Sequence, residues 1–153
     1  MRRKARENAV KYIFEYLVNG SENELTYQNL KEELSEDSQV YYATIIDGVN
    51  NKFDFLKQTV SSFVTTYALD RIYKLDLSIM CVAAYEVLFT DIPEKVAVNE
   101  AVEIAKVYST DKSPAFINGV LASILKNKVE LIEKYESENN WWKSNCNLWK
   151  VVN

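Results

Sequence analysis

An all-α bundle of about six or seven helices is the fold class this sequence predicts, and three observations predict it. Among 153 residues there are only 3 Gly and 2 Pro, too few for the many turns of a β-sandwich or barrel. Apolar residues recur at steps of three and four through most of the chain, the period of a helix with one buried face. The breaks between these runs are short and polar, as in a bundle. The length suits one domain, and 48% apolar with 26% charged residues is ordinary for a soluble globular protein.

The elements follow in order. Residues 2–18 place Ala9, Val10, Ile13, Phe14 and Leu17 at helical spacing, and Gly20 with the polar run 21–24 ends them. A short helix follows near 26–34. From Ser38 to Phe63 the residues Tyr42, Ile45, Ile46, Val49, Phe53, Leu56, Val60 and Phe63 keep the period. This run is read as two helices broken around 48–51. Residues 76–90 carry a wide apolar face of Ile79, Met80, Ala83, Ala84, Val87 and Leu88, with Asp76 as N-cap. Pro93 disfavours helix at the residue before it and breaks the chain there. The next helix, 97–108, turns Ala101, Ile104, Ala105 and Tyr108 inward. Ser113-Pro114 reads as an N-cap followed by proline at the first helical position. That last helix carries Phe116, Ile117, Val120, Leu121, Ile124 and Leu125 and continues toward Tyr135. Residues 137–153, with Trp141, Trp142 and Trp149, have no clear period and read as a weakly ordered Asn- and Trp-rich tail after a domain of residues 1–136.

Composition narrows the chemistry. There is no His, so His-based triads, imidazole metal sites and His acid–base catalysis are excluded. Cys81 and Cys146 are too few for a zinc site or a disulfide framework. Carboxylates such as Asp70 and Asp76 are not gathered into a site, and no phosphate-binding Gly loop or paired nucleophile and base is present. No metal, cofactor or enzymatic activity is expected. No secretory or membrane-spanning run appears, so the cytoplasm is the expected compartment.

Charge is uneven. The net charge is −4, yet residues 1–20 hold five bases against two acids, and residues 21–54 hold two bases against eight acids. A basic end on an acidic protein is a patch that binds phosphates whatever the total charge. Arg2, Arg3, Lys4 and Arg6 sit at a helix N-terminus, where cations oppose the macrodipole. Helix stability does not explain them. Guanidinium groups reach phosphates and stack on bases, which points to RNA; a solubilising tail is the alternative. Lys95 is placed in a loop, free to bind an anion, and Asn99 near the following helix start as a cap or cross-link. Gly119 inside a helix costs about 1 kcal/mol relative to Ala, which implies close helix packing or a close partner, packing being favoured. Glu86 falls off the centre of its apolar face and is read as an exposed contact or a solvated charge.

Together RRKARENAV, LDLSIMCVAAYEVLF, DIPEKVAVNEAVEIAKVYSTDKS and FINGVL resemble the NusB family of bacterial transcription antitermination factors. The resemblance covers residues 2–128 in order, with only helical character shared over 20–60. It implies two packed helical subdomains and binding to the boxA element of nascent ribosomal-RNA leaders, together with NusE, a small-subunit ribosomal protein. The assembly would help RNA polymerase resist termination. By the same resemblance Arg2, Arg3, Lys4 and Arg6 hold RNA, and Phe14 presents an aromatic near it. Lys95, Lys112 and Phe116 extend the RNA surface, and Glu86 faces NusE. A homodimer is a further state found in the family. Leu77 and Cys81 stand where many relatives have Arg, and Pro114 and Ala115 where relatives offer polar or basic residues. Two alternatives remain: a protein-interaction adaptor without RNA binding, and a module like those at the front of some RNA cytosine methyltransferases.

Overall fold

The computed structural model describes residues 2–64 and 72–145, with side chains to residue 139. These residues form eight helices: α1 Arg2–Asn19, α2 Glu24–Glu32, α3 Glu36–Asn51, α4 Phe53–Ser62, α5 Lys74–Phe89, α6 Glu94–Tyr108, α7 Ser113–Lys126 and α8 Lys128–Asn145. The all-α reading holds, but the count exceeds the six or seven expected. The extra helix arises at Asn127. Its backbone leaves the helical region, and its side-chain amide donates to the Ser123 carbonyl at 2.8 Å, so α8 begins afresh at Lys128. No described helix is long and apolar enough to cross a membrane.

Local chemistry sets the boundaries. Gly20, at φ 74°, takes the left-handed conformation that ends a helix at low cost, and its N–H closes on the Tyr16 carbonyl at 2.8 Å. Asn23 then caps α2 by accepting from the Thr26 N–H at 3.1 Å. The expected break between α3 and α4 falls at Lys52, one residue past the predicted stretch. Pro93 separates α5 from α6 as predicted. Two expected caps are corrected. Asp76 is inside the first turn of α5, which starts at Lys74, and Ser113 is the first residue of α7. Asn99 lies exposed in the second turn of α6, beyond the capping position, and Lys95 is in the first turn of that helix and not in a loop.

The core is organised about α5. This helix packs against α1, α3, α4, α6, α7 and α8, and residues from Asp76 to Leu88 are buried all round its circumference. A helix apolar on all sides belongs in an interior; the sequence showed only its widest face. α1, α2 and α3 pack together on one side of α5, and α6 with α7 on another. The buried side chains nevertheless form one continuous cluster from Ala5 to Ile124. Leu77 and Cys81 lie inside it, 5% and 0% exposed. The departure from Arg at these positions therefore falls in the interior and not on an outer surface.

Glycines mark two contrasting places. An alanine Cβ at Gly48 would lie 2.1 Å from Cζ of Tyr85, so the absent side chain is what lets the tyrosine of α5 rest on α3. At Gly119 nothing lies within 4 Å of the corresponding Cβ position. Close helix packing, the favoured explanation from sequence, is therefore corrected. Because Gly119 is exposed in the middle of α7, Gly119→Ala should raise the unfolding free energy by about 1 kcal/mol, measured by chemical denaturation. A loss of stability instead would reveal a constraint on this residue that the fold does not show.

The expected tail is partly helical. α8 runs on to Asn145, past the predicted boundary at 137. The remainder of that tail lies outside the described residues, as do the side chains of Trp141, Trp142 and Trp149. Asp70 also lies outside them.

Candidate nucleic-acid interface

The basic end is built on the first turns of α1. No acidic residue stands in its first turn, so three exposed cations, Arg2, Arg3 and Lys4, meet the positive end of the helix dipole. Each has a different partner. Arg2 lies over the Tyr41 ring with Cζ 4.7 Å from its centroid. Arg3 reaches across to α6 in a two-pronged contact, Nε to Glu100 Oε2 at 2.7 Å and Nη2 to Oε1 at 3.0 Å. The hydrogen bond and charge of Glu100 raise the Arg3 pKa, and the Arg3 hydrogen bond lowers that of Glu100. Lys4 Nζ stands 3.9 Å from Glu33, a long contact between two exposed groups that adds little stability.

Arg6 belongs to a different environment. Its side chain is 5% exposed and that of Glu86 is 1% exposed. Arg6 Nε lies 2.9 and 3.0 Å from the two Glu86 oxygens, and Nη2 donates to the Tyr41 hydroxyl at 3.1 Å. The Tyr41 hydroxyl in turn donates to Glu86 Oε2. Burial is the largest influence on Arg6 and lowers its pKa, but the hydrogen bond and charge of Glu86 with the charges of Tyr41 and Glu100 outweigh it. The guanidinium is held charged. Burial and the neighbouring Glu86 push the Tyr41 phenol far above its ordinary value, so Tyr41 remains a donor.

This corrects the readings of Arg6 and Glu86 as surface groups. Glu86 is neither an exposed contact nor a solvated charge, because α1 and α3 bring Arg6 and Tyr41 onto it and leave it 1% exposed. The signal for Arg6 was in the sequence: it lies three, four and seven residues before Ala9, Val10 and Ile13, on the buried stripe of α1. Tyr41 and Glu100, which orient Arg2, Arg6 and Arg3, had no comparable signal, since both partners are distant in sequence.

The remaining predicted residues lie further along α1, on α6, in the turn after it and on α7. Phe14 is exposed at 36%, two turns beyond Arg6 on α1. Lys95 is exposed at the start of α6, while exposed Lys112 and half-buried Phe116 stand beyond its end. α6 has 15 residues, a length of about 22 Å at 1.5 Å per residue, with Lys95 near its start and Lys112 past its end. Arg3 meets α6 at Glu100, and Lys11 Nζ lies 5.1 Å from the Tyr108 ring centroid near its end. Exposed cations thus stand on α1, at the start of α6 and in the turn that follows it.

Other chemistry finds little support. Among the described residues no group of three or more His, Cys, Asp or Glu is placed to hold a metal ion. Burial raises the Cys81 thiol to about 12, which leaves it protonated and inert at neutral pH.

Comparison with known proteins shows the family and the fold. A profile of the NusB family matches residues 3–126. The transcription antitermination protein NusB of Clostridium novyi is 40% identical over 130 residues, covering 82% of this chain and 98% of that protein. A crystal form of NusB from T. maritima superposes with a TM-score of 0.75 at 30% identity, over 87% of this chain and 97% of that one. A crystal structure of antitermination factors NusB and NusE in complex with double-stranded RNA shares the fold at 19% identity. Its TM-score is 0.74, over 82% of this chain and 96% of the matched one. With its all-helical described fold, a family profile matched over most of its length and a relative matched along nearly its whole length, this chain belongs to the NusB family.

Proposed function

We propose that this protein is a transcription antitermination factor that binds the boxA element of nascent ribosomal-RNA leader transcripts together with NusE. It is an RNA-binding adaptor and not an enzyme. The observation that carries this reading is the exposed triad Arg2, Arg3 and Lys4 on a helix end that electrostatically disfavours it. Support comes from the antitermination relatives and from the shared fold of a NusB–NusE–RNA complex. Phe14, Lys95, Lys112 and Phe116 extend the RNA surface, while Arg6, buried and neutralised by Glu86, ties α1 to α5 beneath it. Exposed α1 residues near Phe14 leave room for NusE beside the RNA, and the assembly would act on RNA polymerase. Homodimerisation would compete for the same exposed groups.

The test is fluorescence anisotropy with a boxA RNA and a scrambled control, with and without NusE, over a range of salt. Preferential binding of boxA, strengthened by NusE, is the expected result. Replacing Arg2 and Lys4 by Ala should weaken binding. It should also shallow the slope of log affinity against log salt by about 0.7 for each phosphate no longer neutralised, or about 1.4 in all. An unchanged slope would remove these residues from the RNA surface. Equal weak binding of both RNAs with NusE still bound would favour a protein-interaction adaptor.

A further inference from the structure

Residues 109–113 read Ser-Thr-Asp-Lys-Ser. This turn joins α6 to α7 and carries Lys112, with Phe116 in the first turn of α7. It has no apolar side chain, and Thr110, Asp111 and Lys112 are exposed. Hydrophobic burial therefore cannot fix its position; hydrogen bonds must. Some lie within the turn, where the Ser113 hydroxyl stands 2.9 Å from that of Ser109 and 2.8 Å from that of Thr110, and two tie its ends to one carboxylate. Asp76, 2% exposed in the first turn of α5, accepts from the Ser109 hydroxyl on Oδ1 and from the Ser113 hydroxyl on Oδ2, the latter at 2.9 Å. Ser113 also accepts from the Thr110 N–H at 3.3 Å, and its own N–H closes on the Thr110 carbonyl at 3.1 Å. The two serines bracket the turn, so a single side chain of the central helix grips both its ends. The first turn of α5 favours a carboxylate there, since the helix dipole is positive at that end. Hydrogen bonds to an ionised acceptor are stronger than neutral ones.

We propose that Asp76 is a positioning residue for the RNA surface, latching the turn 109–113 to α5 and so setting where Lys112 and the start of α7 stand. The inference rests on the reading of Lys112 and Phe116 as RNA-facing. It adds a residue that touches no RNA itself.

Three variants of the full chain test it with the boxA RNA probe. Asp76→Ala cuts both bonds from the turn to α5, leaving the hydroxyls only one another and Thr110 as partners, and should weaken RNA binding about tenfold. Asp76→Asn is nearly isosteric and can still accept from one serine while donating to the other, so it should bind within about twofold of the native chain. Asp76→Ala in a Lys112→Ala background should cause little further loss, because the effect travels through the placement of Lys112. A merely structural role would not produce that dependence. Full RNA affinity in Asp76→Ala, or an equal loss with and without Lys112, would overturn the proposal.

Should Asp76→Ala fail to fold, Ser109→Ala removes one of the two bonds from a half-buried position. Amide hydrogen exchange at residues 110–112 should then quicken about tenfold while that of α5 is unchanged. Unchanged exchange in the turn would equally overturn the latch. The exchange measurement needs no RNA. A native chain that does not bind boxA RNA would thus defeat the functional reading, while exchange still decides whether Asp76 holds the turn.

Discussion

Glu86→Ala should lower the unfolding free energy by about 3–5 kcal/mol, the largest effect expected of any single substitution here. The loss comes less from the attraction between Glu86 and Arg6 than from what remains. The side chain of Arg6 is 5% exposed, and without Glu86 its guanidinium would stay buried with the neutral Tyr41 as its remaining hydrogen-bond partner. A buried charge without a counter-charge is among the costliest defects a fold can carry. Replacing both partners by apolar residues, Arg6→Met with Glu86→Leu, should recover most of the loss, since buried pairs are often matched by well-packed hydrophobes. Urea denaturation of the three proteins at neutral pH checks this. A single-variant loss below about 1 kcal/mol would mean that the pair behaves as a solvated one.

The second large effect is expected at Gly48. Added bulk in a packed interior usually costs about 1–3 kcal/mol, and here a Cβ would fall 2.1 Å from Tyr85 Cζ and 2.3 Å from its hydroxyl oxygen. The ring cannot simply retreat, because it also packs against Phe89 at 6.2 Å between centroids. The gain in helix propensity from Gly to Ala, about 1 kcal/mol, works in the opposite direction. A net loss of about 2 kcal/mol is expected for Gly48→Ala. The sign should reverse once Tyr85 is itself reduced to Ala, where the same change should stabilise by about 1 kcal/mol. Equal losses in both backgrounds would show that the ring is not what requires the glycine.

The contrast between Gly48 and Gly119 shows what a sequence carries. Both are glycines inside helices. The sequence singled out Gly119, which meets nothing, and saw in Gly48 only a helix break. The requirement at Gly48 comes from Tyr85, 37 residues away, and no local pattern encodes it. Helix periods and the stops at Gly20 and Pro93 were legible because they depend on neighbours three or four residues apart. The end of α7 was not, since Asn127 breaks the helix through its own backbone and side-chain bonding inside a stretch that still looks periodic.

The candidate site divides in the same way. Exposed charge at Arg2, Arg3 and Lys4 could be read directly, because nothing apolar surrounds them in sequence. Glu86 was misread because position on a helix face says where a side chain points and not what covers it. Once α1 and α3 close over α5, an off-centre position becomes an interior one. Asp76 was read as a cap for the helix it begins, whereas its partners belong to the turn before α7. Matching one carboxylate to two serines more than 30 residues away requires the fold.

The central position of α5 has a consequence for how the molecule comes apart. The helix lies at the middle of the chain, and the groups α1–α3 and α6–α7 both complete their interiors against it. Neither half owns a finished core. Releasing one group would bare a long apolar flank of α5 and, on the α1 side, strand the charge of Glu86. Partial states of that kind are poorly populated when the shared element is this large. The halves that resemble subdomains by their packing are therefore not separate units of melting; the chain is expected to yield as one cooperative body.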